Sequence, residues 1–289
     1  MNRLILKKTA TILGNVFTLA AVFYLLATFF ENTNKIKIEF SSVLLLAVVL
    51  FCITHLFQAS IIQIILNQKV GWAALLRINS AAQLYKYVPG NVAHFFMRWL
   101  NLKKSGVGIR DNARLILHET LLLVITYMLF GLVFFTTTGW LNALFSVPGY
   151  QVIAAVALAC VLAGVWFLRK KIAPLLHAKY LYVIFLYSLS ALLFGLILCI
   201  LNAYMVPEIT GIGFCTYALG FAVSYLAGFV VPGSPGGIGI REVVFIEIFR
   251  HSGNELYHLT QIIVLFRLAG IVAELCMYCL TNIFLKHKL

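Results

Sequence analysis

The sequence predicts an all-α polytopic integral membrane protein with about six full transmembrane helices and two broken, re-entrant helical hairpins in an inverted-repeat arrangement. Three observations carry this reading. Hydrophobic residues make up 62% of the 289 and charged residues only 11%, against roughly 45–50% and about 25% in soluble domains. Basic residues concentrate in alternate loops. Two apolar stretches are interrupted by one and the same Pro-Gly pattern. No hydrophilic stretch is long enough for a soluble catalytic domain, so residues 1–289 read as a single transmembrane domain.

Apolar runs of about 20 residues, the length that crosses a bilayer, occupy 10–30, 43–66, 115–137, 151–168, 180–206 and 259–285. The first is too long for a signal-peptide core and lacks a small-residue cleavage site, so it reads as a retained span. Arg3, Lys7 and Lys8 precede it, eight basic residues lie in 67–114, four in 169–179, and Lys286 and Lys288 close the chain. The intervening loops, 31–40, 138–150 and 207–213, carry no net positive charge. The positive-inside rule puts both termini in the cytoplasm, with the chain in the plasma (inner) membrane. Trp72, Trp99, Trp140 and Trp166 fall near span ends, as interfacial anchors do.

With the termini fixed, segment 71–110 must begin and end in the cytoplasm and segment 212–258 must begin and end outside. Each is then a hairpin that dips into the membrane and returns, the two from opposite faces. Val88-Pro89-Gly90 is followed by Arg98 and Val231-Pro232-Gly233 by Arg241, with nine residues from Pro to Arg and an offset of 143 in both pairs. Three crossings lie between the copies, which inverts their topology. The repeat cores are 71–137 and 212–285. Paired, interrupted hydrophobic segments of this kind point to a transporter's substrate site.

The residue types suit an anion. A helix beginning after Pro-Gly directs unpaired N–H groups and its positive dipole end at the break. Pro89, Gly90 and Asn91 form the break in the first copy and Pro232 and Gly233 in the second, where Gly233, Gly236, Gly237 and Gly239 let the backbone approach a ligand closely. Arg98 and Arg241 add planar donor forks matched to phosphate. Glu119 and Glu242 are the carboxylates able to balance those charges, Glu119 one turn into its span. Arg267 and Glu274 share a face of the last helix, as a structural pair or a functional one. His55, Gln58 and Gln63 share an inward face, His118 reads as a satisfied core or interfacial residue, and Glu247 belongs to the second hairpin's return limb or its rim. Lys103, Lys104, Arg110 and Arg114 read as positive-inside charge facing anionic bilayer lipid.

Composition also excludes functions. The net charge of +13 is an orientation signal, so no nucleic-acid partner is expected. Asp111 is the sole aspartate, which removes paired-Asp metal and nucleotide-sugar sites, and the lack of any Gly-Lys dipeptide removes a P-loop. No metal and no cofactor are expected. The six cysteines (Cys52, Cys160, Cys199, Cys215, Cys276 and Cys279) lie in apolar runs and read as buried packing residues rather than disulfides.

The stretch Tyr85-Lys86-Tyr87-Val88-Pro89-Gly90 through Arg98 to Gly106-Val107, with Pro235-Gly236-Gly237-Ile238-Gly239-Ile240-Arg241-Glu242, resembles the flippase-like family named after the transmembrane region of lysylphosphatidylglycerol synthases. The resemblance covers roughly 40 to 285, and the second motif is the more specific. Glu119 and Arg267 also fit. It implies translocation of a lipid between leaflets through spanning and re-entrant helices. The synthase members continue into a soluble aminoacyl-transferase domain whereas this sequence ends at Leu289, so no aminoacyl-lipid synthesis is expected. Ala93-His94 stands where the main branch has Gly-Glu, so the substrate does not carry across.

The resulting expectation is a non-enzymatic flippase for a membrane lipid or lipid-linked saccharide with an anionic, phosphate-containing headgroup, either a phospholipid or a polyprenyl-phosphate-linked sugar. An integral-membrane transferase with a lipid-linked donor and a non-transporting scaffold of a lipid or glycan biosynthetic complex are the alternatives. Anionic bilayer lipids are expected around it, with a second copy or a biosynthetic enzyme as protein partner.

Overall fold

The computed structural model describes residues 42–87, 93–138, 177–205, 213–230, 237, 239–250 and 256–285. The expected spans at 10–30 and 151–168, the Pro89 and Pro232 breaks, Cys160, Trp140 and Trp166 lie outside the described residues.

All regular structure among the described residues is helical. The elements are α1 (Ser42–Ile65), α2 (Trp72–Gln83) running into a 3₁₀ turn (Leu84–Tyr87), α3 (Ala93–Lys104), α4 (Ile109–Thr137), α5 (Ala178–Met205), α6 (Phe214–Val230), α7 (Ile240–Arg250) and α8 (Leu256–Phe284). Helices α1, α4, α5 and α8 are long and apolar enough to cross a membrane. They coincide with four of the six expected spans. At 1.5 Å per residue, α1 with its 24 residues exceeds a hydrocarbon core about 30 Å thick. Leu129 and Leu132 on α4, Phe185 on α5 and Ile283 on α8 stand exposed, an apolar exterior suited to lipid rather than water.

Local chemistry sets the ends. Asn67 and Gln68 adopt left-handed φ of 52° and 59°, and the Gln68 N–H donates back to the Gln63 carbonyl at 2.9 Å, which closes α1. Gly106, at φ 84°, ends α3 the same way, with the Val107 N–H on the Leu102 carbonyl at 3.0 Å. The Gly-Val step after the first motif therefore has a local structural reason. Helix α4 starts six residues earlier than the apolar run at 115, because Asp111 in its first turn suits the helix dipole. Arg110 and Arg114 consequently sit on a helix rather than in a loop.

The packing repeats. Let α1, α2, α3 and α4 be exchanged with α5, α6, α7 and α8. Every substantial helix pairing then maps onto another: α1–α2 onto α5–α6, α2–α8 onto α6–α4, α3–α4 onto α7–α8, α1–α8 onto α5–α4 and α1–α4 onto α5–α8, while α1–α5 maps onto itself. The 143-residue offset read from the sequence carries 72–87 onto 215–230, the span of α6.

The core forms two clusters, and each draws on both halves. Phe221, Phe245, Phe249 and Phe266 of the second half pack with Phe51 and Phe134 of the first in an aromatic cluster. Ile61, Leu75 and Leu115 of the first half pack with Tyr180 and Val183 of α5 in a largely aliphatic one. Gly195 lets α5 and α6 touch, since a Cβ there would stand 2.5 Å from the Ala218 Cβ and 2.6 Å from the Phe214 carbonyl oxygen. The five described cysteines are free. Cys215 and Cys279 are exposed rather than buried, because their helix faces turn outward.

Candidate functional site

A cavity of about 220 Å³ lies where the two halves meet. All eight helices line it: Gln58 comes from α1, Gln83 from α2, Arg98 from α3, Glu119 from α4, Ser190 from α5, Tyr225 from α6, Arg241 from α7 and Arg267 from α8. Arg98 and Arg241, placed 143 residues apart, thus reach one space.

Arg98 arrives fully paired. Its Nη1 donates to Glu119 Oε1 at 2.9 Å and its Nη2 to Glu119 Oε2, a bidentate fork. Gln58 Nε2 donates to the same Oε1 at 2.5 Å, and Nη1 also reaches Asn79 Oδ1 at 3.4 Å. Arg98 is 3% exposed and Glu119 5%. Two charges so buried persist because each satisfies the other's hydrogen-bonding groups. Glu119 lies ten residues past the start of α4, nearly three turns in, and one turn past the start of the apolar run at 115.

Glu242 behaves differently from its neighbour. Its Oε2 accepts the Gly239 N–H at 2.6 Å, a capping-box arrangement that closes the start of α7. Its Oε1 accepts from Arg267 Nε at 2.5 Å. Two sequence expectations change. Glu242 balances Arg267 rather than Arg241, because successive helix residues point about 100° apart. The Gly239 N–H is held by a side chain instead of standing open to a ligand. Glu274 accepts from the Lys86 ammonium, so Arg267 and Glu274 each engage another element.

Arg241 meets no carboxylate within ion-pair distance among the described residues. Its guanidinium lies 3.9 Å over the Tyr225 ring and 5.9 Å from that of Phe221, a cation–π setting. Its Nε is buried without a hydrogen-bond partner. Gly237, at φ 75°, makes room for it: a Cβ there would stand 3.2 Å from Arg241 Nη2 and 3.3 Å from the Gly228 carbonyl oxygen. Gly237 therefore accommodates the chain's own arginine and the end of α6.

Pro89, Gly90, Asn91, Pro232, Gly233 and Gly236 lie outside the described residues. Gln58 and His55 face the cavity as expected, whereas Gln63 does not line it. His118 packs outside the cavity against Tyr180, whose hydroxyl lies 3.0 Å from its Nδ1. Glu247 is exposed on α7. Sequence reasoning missed Lys86 and His94 as lining residues. In sequence Lys86 reads as loop charge; the signal that sets it apart is its place between two tyrosines, just ahead of the Pro-Gly break. Among the described residues no three His, Cys, Asp or Glu side chains gather as a metal site requires.

No family model, curated protein or solved structure matches the chain.

Proposed function

We propose that this protein is a lipid flippase, moving a lipid with an anionic, phosphate-containing headgroup between leaflets. One observation carries the reading: the cavity shared by the two halves holds an arginine from each, and Arg241 has no carboxylate partner among the described residues. A buried cation on an aromatic face, with an open Nε, suits an anionic ligand. The headgroup enters the cavity while the acyl or prenyl tails remain in the bilayer, and the two halves rock about the site to expose it to either side.

The membrane arrangement that goes with this is six spans with two re-entrant hairpins of inverted topology, both termini cytoplasmic, in the plasma membrane. The resemblance to the transmembrane region of lysylphosphatidylglycerol synthases favours lipid as cargo, and the substrate is a phospholipid or a polyprenyl-phosphate-linked sugar. The sequence contains no P-loop, so movement is facilitated or ion-coupled, with Glu119, Glu242 or Glu274 as proton carriers.

Purified protein reconstituted into liposomes with labelled anionic lipids tests this. The expected result is leaflet exchange above that of empty vesicles, reduced about tenfold or more by Arg241→Ala, since a desolvated arginine–phosphate contact exceeds 1.4 kcal/mol. Exchange unchanged in Arg241→Ala would sink the reading.

A further inference from the structure

Among the described residues, formal charge around the cavity is uneven by one. Four cations, Lys86, Arg98, Arg241 and Arg267, line it together with Glu119 and Glu274. Glu242 stands behind Arg267 as its hydrogen-bonded counterion. Glu119 holds Arg98 and Glu274 holds Lys86. The surplus positive charge is that of Arg241. The same cavity carries uncharged polar groups: His94 Nδ1 lies buried with no hydrogen-bond partner, and the Gln83 side chain lines the space.

We propose that the cavity takes a headgroup with a single negative charge, a phosphodiester, in preference to a diphosphate or a phosphomonoester. The proposal rests on reading the cavity as the anion site of a lipid translocase and narrows its substrate class. A phosphodiester carries one charge spread over two unbridged oxygens, which a guanidinium and neutral donors together satisfy. A phosphomonoester carries about −1.5 to −2, and a diphosphate diester carries two charges. Either brings a charge for which the described residues hold no further unpaired cation. It then has to displace Glu119, Glu242 or Glu274, leaving a carboxylate uncompensated in a low-dielectric space. The shared chemistry fits both a glycerophospholipid and a polyprenyl monophosphate sugar.

The test uses the full chain in detergent and native mass spectrometry. The protein is offered equimolar phosphatidylglycerol, a polyprenyl phosphate hexose, a polyprenyl diphosphate hexose and phosphatidic acid. Retention of at least one diester is expected to exceed that of the diphosphate and of phosphatidic acid by about tenfold, as one unmatched charge implies. Whichever diester leads names the source, and either one supports the assignment. Arg241→Gln should abolish the preference. Glu274→Gln, which adds one more surplus positive charge, should move it toward the diphosphate. Wild-type protein that retains the diphosphate or phosphatidic acid as well as the diesters overturns the proposal. Leaflet exchange with the same lipids separates the two levels. Arg241-dependent exchange of the diphosphate lipid ahead of the diesters overturns the single-charge assignment and leaves the translocase reading standing, whereas exchange of no lipid overturns both.

Discussion

The two halves offer equivalent arginines in unlike surroundings. Arg98 is clamped by Glu119, which Gln58 braces in turn, and also reaches Asn79, whereas Arg241 rests on Tyr225 with an open Nε. Helix pairing follows the repeat closely; charge pairing does not. In the first half the cation is on the short helix and the carboxylate on the long one, while in the second Glu242 is on the short helix and Arg267 on the long one. Backbone packing is thus symmetric and electrostatics are polarised. Among the described residues, the arginine of one half is neutralised by a carboxylate and that of the other is not.

Removing Glu119 should break that comparison most severely. Glu119→Ala leaves Arg98 buried and uncompensated, which costs about 3–5 kcal/mol. Glu119→Gln retains the shape and loses less. Arg241→Ala removes no ion pair and forfeits only cation–π contact, about 2 kcal/mol when desolvated. Thermal unfolding of the three variants in one detergent should rank Glu119→Ala as clearly the least stable. Equal losses for Glu119→Ala and Arg241→Ala would mean that the halves are not electrically distinct.

The next effect concerns the symmetric part. Gly195→Val places a branched side chain against the Ala218 backbone, whose nitrogen is already 2.6 Å from the nearest Cβ position. Overpacking of this kind costs about 1–3 kcal/mol. The position 143 residues earlier is Cys52, whose thiol lies 4.0 Å from the Ala273 carbonyl oxygen on α8. Cys52→Val, nearly isosteric, should be tolerated. Retained unfolding temperature in Gly195→Val would show that α5 and α6 are not held in contact.

Sequence carried the helical architecture because lipid imposes it: apolar runs of the right length have few alternatives to a helix. Four of the expected spans appear as long apolar helices. Ends were read less well. The run starting at 115 missed Arg110 and Arg114, which ride on α4 while their charges mimic a loop. Pairing was least legible. Glu242 adjoins Arg241 in sequence yet turns to Arg267, and Lys86 crosses from the first half to Glu274 in the second, a contact between positions 188 residues apart. Spacing along a chain sets which face a residue occupies; it does not set which helix that face meets.

The smallest expected effect sharpens the contrast between buried and exposed charge. Lys69 and Asp111 form an ion pair at 2.5 Å, with side chains 50% and 34% exposed. Its geometry matches that of the cavity pairs, so distance alone would rank them together. Solvent decides otherwise. Water already solvates both groups, and exposed pairs contribute about 0–1 kcal/mol. Lys69→Ala should therefore shift unfolding by a small fraction of the Glu119→Ala loss, and added salt should erase the difference between Lys69→Ala and wild type. The Glu119→Ala deficit should survive the same salt, because ions do not reach a pair that is buried. A Lys69→Ala loss as large as that of Glu119→Ala, or a Glu119→Ala loss that salt removes, would place the Arg98 pair at the surface and undo the division of labour between the two arginines.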